Sequence, residues 1–106
     1  MALEISWFSD RYADADGTID VLKRPGLGVA APVPIGAASA RSVVAPGGTR
    51  LARLVVSHDC RIAVGGAQVE AFANGGGGSE FFKACPEYVI GVREGEFIAV
   101  IAAASA

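Results

Sequence analysis

Four short apolar runs, each closed by a tight polar turn, fill the second half of this chain and leave little room for anything but a β fold. Residues 50–57, 60–65, 87–93 and 97–102 are rich in Val, Ile, Leu and aromatic side chains. Such side chains suit a pleated, half-buried surface, whereas Gly, Asp, Pro and Asn between them supply the breaks. No stretch carries a sustained 3.6-residue apolar period with caps, so little helix is expected, and a single turn within residues 78–84 is the best candidate. Strands recurring about every ten residues point to a sandwich or barrel. The expectation is an all-β, single-domain antiparallel β-sandwich or barrel of about seven to eight short strands, with an extended N-terminal region.

At 106 residues the chain is the usual size for one hydrophobic core. Residues 1–34 read as an extended segment holding an acidic loop and a Pro/Gly arm, and residues 35–106 as the strand-rich core. The stretch from Leu3 to Phe8 alternates and reads as an edge strand, and Ile19–Leu22 as another short one. Pro25, Pro32 and Pro34 keep residues 24–34 out of any helix, because proline lacks the N–H a helix or ladder needs. Residues 35–44 suit a strand, and Pro46-Gly47-Gly48 a turn. Two hairpins follow, one turning at His58-Asp59 and one at residues 93–96, where Gly95 is free to take positive φ. On the first, Leu54, Val56, Ile62 and Val64 are expected to share one core. The last strand, 97–102, is apolar on both faces. It is either central and covered on both sides, or covered by a neighbouring subunit.

Composition bears on partners. Hydrophobic residues make up 52% and charged ones 19%, below the usual quarter or so, and a small domain hides such a surplus poorly. The excess therefore implies a homo-oligomer or a docked place in a larger assembly. A net charge of −2 with scattered Lys and Arg argues against nucleic acid. No uncharged run has transmembrane length or the pattern of a signal peptide, so no membrane partner is expected and assembly is placed in the cytoplasm. Cys60 and Cys85 make no disulfide framework; Cys60 reads as a core residue, and pairing of the two is left open.

No motif outweighs its simpler explanation, and no cofactor, metal or catalytic residue is expected. Asp14, Asp16, Gly17 and Asp20 echo part of a calcium loop, but the matching first and twelfth positions are Tyr12 and Lys23, so a solvated acidic turn is preferred. Ser57, His58 and Asp59 are triad residue types, yet adjacent residues of a strand diverge rather than converge. The run Gly75–Gly78 lacks the Lys-Ser or Lys-Thr pair of a phosphate loop and reads as a flexible tip. Trp7, Phe8 and Tyr12 form an aromatic group better suited to plugging a core end or a subunit seam than to stacking on a ligand.

Two segments carry a resemblance. Cys60-Arg-Ile-Ala-Val-Gly65 and the longer 87–101, Glu-Tyr-Val-Ile-Gly-Val-Arg-Glu-Gly-Glu-Phe-Ile-Ala-Val-Ile, are similar to a layout in small bacteriophage virion proteins encoded among head and tail genes. About half the chain is covered; the first fifty residues match no pattern. The resemblance implies a virion component, either a capsid decoration or cement protein or the base of a head spike or fibre, as also carried by gene transfer agent particles. It implies a homo-oligomer, trimer favoured, docked on the major capsid protein or other virion proteins. Trp7, Phe8 and Tyr12 are then expected at the interface, with Leu27 and Val29 of the arm, and Phe97 and Ile101 of the last strand. The competing expectation is a carbohydrate-binding β-module using Trp7 and Tyr12 as its platform; an enzyme built around His58 comes third.

Overall fold

The computed structural model describes residues 1–9, 11–13, 20–22 and 27–103 and has the expected β-sandwich of two antiparallel sheets. The first sheet runs β10 (Cys85–Gly91), β7 (Leu51–Val56), β1 (Ala2–Phe8), with β4 (Gly28–Val29) and β5 (Val33–Pro34) sharing the far edge of β1. The second runs β6 (Ala40–Arg41), β11 (Phe97–Ala102), β8 (Cys60–Gly65), β9 (Glu80–Phe82). A separate two-stranded ribbon pairs β2 (Arg11–Ala13) with β3 (Asp20–Leu22). The strands outnumber the expected seven or eight because the N-terminal third and residues 35–44 contribute pieces of only two or three residues.

Alternation builds the core. Leu3, Ile5 and Trp7 of β1, and Ala52, Leu54 and Val56 of β7, point inward from the first sheet, while Cys60, Ile62, Ile98 and Val100 meet them from the second. β1, expected at an edge, lies inside its sheet with β7 on one side and β4 and β5 on the other. The arm residues that were expected to cross a surface thus supply that sheet's outermost pieces. Pro34 suits this place, since an edge strand can spare an N–H.

Both expected hairpins are corrected. β7 pairs with β1 and β10, and β8 with β11 and β9, so the turn at residues 57–59 carries the chain from one sheet to the other. Leu54, Val56, Ile62 and Val64 do share one core, but from facing sheets rather than from paired strands. The turn at residues 93–96 is likewise a crossing. Gly95 takes φ 84° there, its N–H donates to the Ala45 carbonyl at 3.1 Å, and the Glu96 carboxylate accepts from the Arg93 N–H at 2.7 Å. Alternation names the buried face of a strand but not its partner, which is why the face was legible and the pairing was not.

β11 settles the question of its second face. Ile98 and Val100 enter the core, while Ala99 and Ile101 on the opposite face lie under Ala71, with Val69 and Ala73 packed alongside. Residues 66–79, between β8 and β9, fold across the outside of the second sheet and cover it. Ala63, Ala71 and Ala99 are small, which allows the segment to approach the sheet closely. The surplus of apolar residues on this strand is absorbed within the protomer. The helical turn expected near residues 78–84 is corrected: residues 80–82 form β9, and the 3₁₀ turn lies in the glycine run at Gly76–Gly78.

Candidate interaction surface

The segment laid over the second sheet is held by specific bonds, and they create the most distinctive surface of the protein. Arg61, on the outward face of β8, donates from Nε to the Ala73 carbonyl and from Nη1 to the Ser79 carbonyl, each at 3.2 Å. The Phe72 N–H donates to Ser79 Oγ at 2.9 Å, and the Ala71 N–H to Ser39 Oγ at 3.0 Å. One arginine thus ties both ends of the glycine run to the sheet, and the run is an ordered turn rather than the free tip expected. Gly77 has φ 63°, and a Cβ on it would lie 2.9 Å from the Phe72 ring, so the ring rests against bare backbone.

Phe81 faces Arg61 across the β8–β9 pair, its ring centroid 5.8 Å from the guanidinium carbon. Phe72 and Phe81 are 44% and 51% exposed, a high value for phenylalanine. The outcome is a guanidinium with an exposed ring at Phe81 and a second exposed ring, Phe72, on the segment it secures. The next residue, Phe82, points the other way and packs edge-to-face on Tyr88, with centroids 4.9 Å apart. Beside it, an open groove of about 330 Å³ between β9 and β10 is lined by Ile62, Val64, Glu80, Phe82 and Ile90 with Gly78 and Gly91.

The residues expected at an interface divide. Trp7 is 3% exposed within the protomer core, and Phe8 is buried as well, so neither presents a surface to a neighbour. Ile101 is covered by the chain's own residues 69–73, and Phe97 is half-buried. Tyr12 lies on β2, and its side chain is outside the described residues. Only Leu27 and Val29 are exposed, Val29 at 77%; Val43 and Val44 are exposed too. β5 and β6 approach each other, which places the edge carrying Val29 and the edge preceding Val43 and Val44 on one flank of the sandwich.

Ser57, His58 and Asp59 do not converge. His58 is exposed on the crossing turn; Ser57 Oγ is engaged with the Ala2 backbone, donating to its carbonyl and accepting from its N–H, each at 2.9 Å. Asp59 Oδ1 accepts from the Ala84 N–H at 2.8 Å. Their side chains therefore serve three separate places. Both cysteines are free thiols. Burial pushes the Cys60 thiol up to about 11, with the neighbouring Asp59 charge adding to the effect, so it stays protonated at neutral pH. Asp14 and Asp16 lie outside the described residues, and among the described residues no group of three His, Cys, Asp or Glu is gathered for a metal.

Phe72, Phe81 and Arg61 were missed in the sequence. Phe81-Phe82 beside a glycine run was a signal for one ring outward and one inward, once a strand is recognised there. The reach of Arg61 to carbonyls twelve and eighteen residues away had no such signal. Comparison with family models, with curated proteins and with solved structures returned no match.

Proposed function

We propose that this chain is a non-enzymatic structural module that works by docking onto protein, as a decoration or cement protein of a phage-like capsid or the base of a head spike or fibre. Its partners in this reading are copies of itself, in a trimer, and the major capsid protein or another virion protein. The observation that carries the docking role is the exposed Phe81 beside Arg61, with a second exposed ring, Phe72, on the segment that Arg61 secures. Aromatic and arginine side chains are enriched at protein interfaces, and groups already ordered before contact lose less entropy on binding. The two hydrogen bonds of Arg61 and the packing of Phe72 on Gly77 provide that order. The particle to which it docks is inferred from the pattern of residues 60–65 and 87–101 alone.

A carbohydrate platform is less well supported. Trp7 is buried, and phenylalanine offers a sugar no hydrogen-bonding group.

The test is fractionation of the particles shed by the source strain on a density gradient, with immunodetection of this protein. It is expected in the particle band, and protein released from washed particles is expected to scatter light as a trimer. A protein that never bands with particles and remains a monomer overturns the proposal.

A further inference from the structure

We infer that the surface formed by Arg61, Phe72 and Phe81 selects a partner segment carrying a single carboxylate between apolar side chains. This rests on the docking reading above and names the chemistry of the surface that it meets. Two of the five guanidinium N–H groups are used by the Ala73 and Ser79 carbonyls, which are neutral acceptors. Among the described residues the one ion pair is Arg53 with Glu87 at 3.3 Å, so no described carboxylate balances Arg61. Three N–H groups, on Nη1 and Nη2, remain to donate to a carboxylate, and the two bonds already made hold the guanidinium plane in place.

The surroundings determine which anion fits. The exposed Phe81 ring, 5.8 Å from the guanidinium carbon, would exclude water from one side of a docked ion pair, the setting in which such a pair gains most. One carboxylate flanked by apolar groups meets the guanidinium and the exposed Phe81 ring together. A protein segment with an aspartate or glutamate between aliphatic residues has that chemistry.

The experiment is an NMR titration of the full chain, following the Arg61 Nε–H and the backbone amides of residues 72–81. The probes are a blocked leucine–aspartate–leucine tripeptide and its asparagine counterpart, each raised to millimolar concentration. Saturable shifts at Arg61 and the glycine run are expected with the aspartate peptide, about tenfold weaker with asparagine and weakened by added salt. Phe81→Ala, whose side chain is half exposed, is expected to abolish the response while the remaining spectrum stays folded. Equal responses to both peptides, or no saturable shift at Arg61, overturns the inference. Co-banding with particles in spite of that result would leave the docking reading standing without it.

Discussion

Phe81 and Phe82 are adjacent, chemically identical and on the same short strand, yet truncating them should have opposite consequences. Phe82 packs against the core and meets Tyr88 edge-to-face at 4.9 Å. Phenylalanine-to-alanine changes in a core cost about 3–5 kcal/mol, and an aromatic pair adds about 0.5–1.5 kcal/mol. Phe82 is only partly buried, at an edge strand, so Phe82→Ala should cost about 2–4 kcal/mol. Phe81 keeps 51% of its surface in water, and its contact with Arg61 is at an exposed site, where such contacts contribute about 0.5–1 kcal/mol. Phe81→Ala should therefore cost about 1 kcal/mol or less. For a domain of this size each kcal/mol moves Tm by about 4–8 °C. Thermal unfolding followed by circular dichroism should thus show a fall of about 8–32 °C for Phe82→Ala and under about 8 °C for Phe81→Ala. Under the docking role proposed above, binding to particles should show the reverse order when both variants are assayed well below their transitions. Equal losses of stability, or a larger loss from Phe81→Ala, would refute the assignment of faces on β9 and with it the exposed aromatic surface.

Gly95→Ala should destabilise by about 1–2 kcal/mol, because φ is 84° and nothing lies near the added carbon. Gly91→Ala, in open space without positive φ, should be close to neutral, and urea titration of both variants measures the difference. Ser42→Ala should cost about 1–3 kcal/mol by leaving the buried Ile98 N–H, which donates to Ser42 Oγ at 3.0 Å, without its acceptor; the same titration reads it. Stability should fall as pH rises from about 9 to about 11, since the unfolded chain loses the Cys60 proton in that window while the folded protein, held up to about 11, retains it. Cys60→Ala should remove that part of the alkaline slope, measured by urea unfolding across the window. In a thiol-reagent assay at mildly alkaline pH, half-buried Cys85 should react with the native protein and Cys60 only on unfolding.

What the sequence alone determines here is the class of fold and the two faces of the long strands. Alternation in residues 51–56 and 60–65 is local, set by which side of a pleat each residue occupies, so it can be read without knowing the neighbours. Gly95 and the Pro46-Gly47-Gly48 turn are legible for the same reason, as backbone conformation is a property of the residue itself. Tertiary structure decided everything that depends on a partner distant in the chain. It made crossings between sheets out of apparent hairpins, placed β1 inside its sheet, and buried Trp7 and Phe8. It also drew residues 66–79 over Ala99 and Ile101, deciding within the protomer a strand whose composition left open a central position or a neighbouring subunit. The Arg61 surface belongs to this second kind: Phe72, Ala73, Ser79 and Phe81 are brought to it by one side chain's hydrogen bonds and one strand pairing. Their free energy depends on closure of the intervening loop, and no local residue pattern encodes that.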